Sequence, residues 1–210
     1  MKLLRLVIKK EDLDKLNIDI KEIASQKLKQ LYGEKIHQSI VNRFNIEINN
    51  ILKNKFENYY KIAYMIANKA NEDNEIIISS GTASASFINY LLGINYINPI
   101  EYNIPIETWA GINGDKTPDY ELVFGAEYIN TIYKYIKIKL KENKIFYQDT
   151  IDSIDSNMVK INFSPCNELD EIKEFEGTTK INHTSINVKS EQLIKEYKEQ
   201  EDDSKLKKYY

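Results

Sequence analysis

Apolar residues recur along this chain in two rhythms. Between Ile36 and Ala70 they fall at Ile40, Phe44, Ile48, Ile51, Leu52, Phe56, Tyr59, Ala63, Ile66 and Ala67, close to the repeat that puts one stripe of a helix against a core. This predicts one long helix, or two joined ones, covering a sheet. Upstream, Met1–Lys10 reads as a first strand and Glu11–Leu31, with Ile20, Ile23, Leu28 and Leu31, as a helical approach. The polar turn Asn71–Asn74 then leads into an apolar strand at Ile76–Ile78, a small hydroxyl-rich loop at Ser79–Ser86 and a helix at Phe87–Leu92 stopped by Gly93. The second rhythm is strict alternation. Val159, Ile161 and Phe163 against Met158, Lys160 and Asn162 predict a half-buried strand. Between the two lies a Gly- and Pro-rich turn that delivers Asp119–Phe124 as a further strand, followed by a helix over Tyr128–Lys144 with Lys134, Lys137, Lys141 and Lys144 at helical spacing.

Composition narrows the picture. At 210 residues and 42% hydrophobic content the chain can bury one core with at most a small appendage. A net charge of −3 argues against a general nucleic-acid footprint, so any DNA contact must be local. One cysteine, Cys166, and two separated histidines, His37 and His183, exclude an internal disulfide framework and leave no zinc ligand set. The opening residues are too short an apolar run for a membrane span or a signal core. A reducing cytoplasm is the expected setting, with no membrane partner.

Candidate chemistry sits at two places. Asp119 and Glu121, two apart on a strand, point to one face, an arrangement that can hold Mg²⁺ through hard oxygen ligands. The loop Ser79–Ser86 lies between a strand and a helix N-terminus, where free N–H groups can cradle phosphate. Ser79, Gly81, Thr82, Ser84 and Ser86 are its candidate nucleotide-binding residues, and Lys116 is the nearest cation. Ordinary helix capping by Ser or Thr explains the same loop without a ligand.

The residues around these sites resemble the palm of bacterial DNA polymerase III of the PolC type. Gly111, Gly114, Asp115, Lys116, Pro118, Asp119, Leu122, Phe124, Glu127 and Tyr128 coincide with that family's catalytic block. Ser79, Gly81, Ser86 and Phe87 match its phosphate-holding loop, Thr82 keeps a hydroxyl there, and Leu92-Gly93-Ile94 with Asn98-Pro99 continue the likeness. Ile23–Gly33 and Ile62–Ala67 resemble the helix ends before and beside the palm, and Lys144–Ile151 a later palm segment. The resemblance implies an α+β fold, a mixed sheet of the polymerase-β-like nucleotidyltransferase kind flanked by helices. It also implies that Asp119, Glu121 and Asn162 are the catalytic positions, Asn162, within Asn157–Phe163, standing in the place of the family's third catalytic aspartate, with Asp119 and Glu121 as the metal ligands. The expected organisation is an N-terminal strand and helix over residues 1–35, a palm core over 36–197 and a charged tail over 198–210.

The departures set the functional expectation. Ser80 stands where the family has Arg, Ile78 and Ser84 replace glycines, and Tyr147 replaces another Arg, so fixed positive charge and backbone freedom are lost. Glu121 is a methylene longer than the family's aspartate, and displacements of roughly an ångström can cost about a hundredfold in rate. Asn162 offers a carbonyl oxygen but no charge. The resemblance passes directly over the family's cysteine-rich zinc insertion and nearly the whole of its thumb, which this chain is expected to lack. Together these changes point to a pseudo-polymerase that binds nucleotide, DNA or a replication partner. A minimal metal-dependent nucleotidyltransferase acting through Asp119 and Glu121, and a mimic that inhibits a replication complex, are the alternatives.

Overall fold

The computed structural model describes residues 4–109, 114, 116–141 and 157–180, and the backbone of 145–147. Expected features that fall on Gly111, Asp115, Lys144, residues 148–156 and the tail lie outside the described residues. The chain divides into two compact units, Met1–Glu171 and Ile172–Tyr210, and the first holds all the described strands.

Its strands are β1 (Leu4–Lys9), β2 (Ile77–Ser80), β3 (Glu121–Gly125), β4 (Ile145–Tyr147) and β5 (Met158–Cys166). They form one sheet in the order β2-β3-β5-β1-β4. β3 and β5 run parallel, while β2–β3, β5–β1 and β1–β4 are antiparallel. The sheet is therefore mixed, with its parallel seam near the middle, and the α+β class holds.

The helices are α1 (Lys10–Leu13), α2 (Ile20–Tyr32), α3 (Gln38–Lys53), α4 (Glu57–Glu72), α5 (Phe87–Leu91), α6 (Ile129–Leu140) and α7 (Asn167–Thr179). The long amphipathic stretch resolves into two of them, α3 and α4. Lys55 takes a left-handed φ of 57° between them, a conformation that ends a helix, and Phe56 turns inward. α2 starts where the Asp19 carboxylate accepts from the Glu22 N–H at 3.0 Å and stops at Gly33. None of the described helices is long and apolar enough to cross a membrane.

Alternation decides which sheet face is covered. Leu6 and Ile8 of β1, Leu122 and Phe124 of β3, and Val159, Ile161 and Phe163 of β5 are fully buried in one cluster with Ile62, Ala63 and Ile66 of α4 and Ile132, Ile136 and Leu140 of α6. Each such side chain contributes roughly 1.5–3 kcal/mol by leaving water. The opposite residues, Glu121 and Val123 on β3 and Lys160, Asn162 and Ser164 on β5, face away from that cluster. The expected boundaries shift slightly: β2 begins at Ile77 and takes in Ser79 and Ser80, β3 begins at Glu121 rather than Asp119, and α6 ends at Leu140.

Candidate active site

The parallel seam brings the sequence-distant candidates together. Glu121 of β3 is in register with Asn162 of β5, and the Asn162 N–H donates to the Tyr120 carbonyl at 3.1 Å. In register, paired residues share a sheet face, so the two side chains lie side by side. Asp119 precedes the strand by two residues, on the same face. Its carboxylate meets the Lys160 ammonium at 3.4 Å. Asp119, Glu121 and Asn162 are thus grouped on the uncovered face of the sheet.

Each of the three is held differently. The Glu121 carboxylate accepts from the Ser80 hydroxyl at 3.2 Å and from the Ser164 hydroxyl, one bond to each oxygen. Ser80 is on the antiparallel neighbour β2 and Ser164 on the parallel neighbour β5, so the carboxylate is gripped from both sides. Asn162 is 9% exposed, and its Oδ1 is buried with no hydrogen-bond partner. An orphaned buried acceptor costs about 1–3 kcal/mol and marks a place where a donor or cation would be welcome.

The hydroxyl-rich loop closes over Asp119 by its backbone. The Thr82 hydroxyl accepts from the Asp119 N–H at 3.1 Å, and the Ala83 N–H donates to the Asp119 carbonyl. Gly81 makes this approach possible: its φ is 90°, and a Cβ there would stand 2.5 Å from the Asp119 carbonyl oxygen. Ser84 turns its hydroxyl back to the Gly81 carbonyl at 2.8 Å. Ser79 lies on the covered face with a buried hydroxyl that has no partner.

Ser86 lies deeper than a surface phosphate ligand. It is fully buried, caps α5 by accepting from the Asn89 N–H at 3.3 Å, and donates to Glu47 at 2.7 Å. The Glu47 carboxylate also accepts from the Ile88 N–H at 3.1 Å and pairs with the Arg43 guanidinium, which in turn donates to the carbonyls of Ala85 and Ile104. The α5 N–H groups expected to point into a phosphate cradle are therefore taken by an internal carboxylate and hydroxyl. That corrects the expectation at its helix end, leaving Gly81, Thr82 and Ser84 as the outward part of the loop. Glu47 was missed by sequence reasoning although it carried a signal: it shares a helix face with Phe44, Ile48 and Ile51, where a lone carboxylate needs a buried partner.

Beneath the loop, Tyr120 donates to the Asn89 side chain at 2.6 Å, which itself reaches the Ala83 carbonyl, and Tyr60 stacks edge-on against Tyr120. Burial pushes both phenols well above their ordinary pKa, so they stay neutral hydrogen-bonding groups. Lys116 is exposed in a stretch whose Gly114 lies against Asn54.

The donor set suits one divalent cation. Two carboxylates and an orphaned amide oxygen are the hard ligands Mg²⁺ takes, but the Lys160 charge already rests on Asp119. Among the described residues no three His, Cys, Asp or Glu side chains converge. A pair of dications would be under-neutralised here.

Comparison with known proteins bears on the family of the chain. Residues 19–209 match the family described as the bacterial DNA polymerase III alpha NTPase domain. The chain is similar to DNA polymerase III PolC-type of Staphylococcus epidermidis, 26% identical over 183 residues that cover 68% of this chain and 13% of that protein. The Staphylococcus haemolyticus protein gives the same identity and coverage. That of Staphylococcus aureus is 25% identical over 179 residues, 66% of this chain and 12% of the relative. The chain thus matches only about an eighth of the length of these relatives.

Proposed function

Since this chain belongs to the family of the bacterial DNA polymerase III alpha NTPase domain, we propose that it is a pseudo-polymerase: a replication-related palm that binds a deoxynucleotide, DNA or a replication protein in the cytoplasm without processive synthesis. The observation that carries this reading is the register of Glu121 with Asn162. At the seam where nucleotidyl transfer needs a cluster of carboxylates, an amide stands beside the one glutamate, and a lysine neutralises the remaining aspartate.

Asp119, Glu121 and Asn162 would hold a single Mg²⁺, which when bound supplies positive charge for nucleotide phosphates. Gly81, Thr82, Ser84 and Lys116 are the residues assigned to the nucleotide, with Ser79 and Ser86 supporting the loop from beneath. The chain's own contribution is to orient: Ser80 and Ser164 fix the Glu121 carboxylate, and the Thr82 hydroxyl and the Ala83 N–H fix the Asp119 backbone.

Calorimetric titration with a deoxynucleoside triphosphate, with and without Mg²⁺ or Mn²⁺, tests this. Metal-dependent heat that disappears in Asp119→Ala, with no nucleotide turnover, is the expected result. Turnover on any acceptor would replace it with the minimal nucleotidyltransferase, and absence of heat in both proteins would remove the nucleotide site and leave a protein-binding scaffold.

A further inference from the structure

The chain is acidic overall, yet α6 is built from one sign of charge. Its sequence, INTIYKYIKIKL, carries lysines at 134, 137 and 139 and no carboxylate, and Lys141 follows directly. The other described helices longer than eight residues, α2, α3, α4 and α7, each include acidic side chains. Ile132, Ile136 and Leu140 anchor α6 to the core, so its outward side is presented on a fixed helix rather than a loose segment.

That outward side interleaves lysine with tyrosine. The Lys137 ammonium lies 4.8 Å from the centre of the Tyr133 ring, and that of Lys139 lies 5.6 Å from the Tyr135 ring. Both pairs are i,i+4 neighbours, and they flank a crest made by Lys134 and Ile138, the latter 78% exposed. Lys69 and Glu72 of α4, with Asp73 just after it, act on Tyr135 from one side, the Lys69 ammonium 5.9 Å from the ring centre, and bound the surface there.

We propose that this face of α6 binds single-stranded nucleic acid. Ammonium groups spaced along the helix match a phosphate backbone, and half-buried tyrosine rings beside them offer stacking surfaces to unpaired bases, a combination that accepts any sequence. An acidic polypeptide would use the lysines but has no need of the two rings. α6 belongs to the covered side of the sheet, and Asp119 and Glu121 belong to the other, so this surface holds a strand behind the candidate active site rather than across it. The inference goes beyond the nucleotide reading and does not depend on the carboxylates.

Fluorescence anisotropy of a labelled oligo-dT of about 20 nucleotides, longer than one such site, titrated with the full chain at several salt concentrations, is the test. Binding should weaken as salt rises, and K134E/K137E/K139E should weaken it about tenfold or more. Tyr135→Leu should weaken it at unchanged salt dependence, and Lys21→Gln on the exposed side of α2 should leave it as it was. If the triple reversal is poorly folded, K134Q/K137Q/K139Q reports the same loss of charge. Affinity unchanged by either triple variant overturns the proposal. So does equal affinity for poly-glutamate of matched length, which would assign the face to an acidic protein. Loss in Asp119→Ala would move the bound strand to the carboxylate side. Nucleotide heat without oligonucleotide binding would remove this surface alone, and the converse would remove the nucleotide site alone.

Discussion

Lys160 and Asp119 meet across the seam between two parallel strands, ammonium to carboxylate at 3.4 Å, with both side chains partly open to solvent. Such a pair adds at most about 1 kcal/mol to stability. Its larger effect is on the site, because any cation approaching Asp119 must displace or tolerate a charge already there.

Lys160→Met should therefore raise Mg²⁺ or Mn²⁺ affinity, by up to about tenfold, or 1.4 kcal/mol, while stability changes by less than about 1 kcal/mol. Calorimetric titration with the metal alone measures it. Unchanged or weaker affinity would mean that Asp119 takes no part in a metal site.

Asn162→Asp should behave as a conditional defect. A second carboxylate beside Glu121, at a 9% exposed position, should cost about 1–3 kcal/mol without metal. Mg²⁺ should recover that loss, more fully when Glu121→Asp is added, and thermal melts with and without Mg²⁺ read both effects. A melt insensitive to Mg²⁺ in the double variant would separate these side chains functionally.

Glu47→Ala should be among the most damaging single changes, costing about 3–5 kcal/mol, because it strands the Arg43 guanidinium beneath the loop. Urea unfolding measures it. Arg43→Met combined with Glu47→Leu should be milder than Glu47→Ala alone, since no buried charge is left behind.

Two glycines with positive φ should respond differently to alanine. At Gly33, φ 73° with open space around the added methyl, the cost should be about 1 kcal/mol. At Gly81 the same strain comes with a clash against the Asp119 carbonyl, so the loss should be larger by about 1–3 kcal/mol and should be accompanied by weaker nucleotide binding. Paired urea melts and titrations distinguish the two.

Burial, and then a hydrogen bond to the Glu168 carboxylate at 3.1 Å, hold the Cys166 thiol above its ordinary pKa. The thiolate is the nucleophile, so alkylation near neutral pH should be slower than for a free cysteine and should recover only as pH rises past the elevated pKa. Glu168→Gln removes a charge that opposes ionisation and should move the rate profile to lower pH. A profile matching that of a model thiol would contradict this arrangement.

Much of this fold could be read from side-chain rhythm. The alternation at Val159–Phe163 and the helical stripe from Ile40 to Ala67 identify core faces directly, since burial acts on every residue of a repeat. Proximity of Asp119 and Glu121 followed from their spacing. What the rhythm could not reveal was register: that Asn162 falls beside Glu121 and Lys160 beside Asp119 depends on a parallel pairing between strands separated by α6 and β4. The resemblance pointed to Asn162, but nothing local pointed to Ser164, or to Glu47 as the occupant of the α5 N-terminus. Those depend on which side chains from distant elements arrive at the same place.

β5 supplies both the pairing for β3 and the pairing for β1, and it is the sole link between the β2–β3 pair and the β1–β4 pair. Among the described strands it is also the last in chain order. As the chain leaves the ribosome, then, β1 and the β2–β3 pair must wait as separate pieces, and the grouping of Asp119, Glu121 and Asn162 comes into being in the same closing event that makes the sheet continuous.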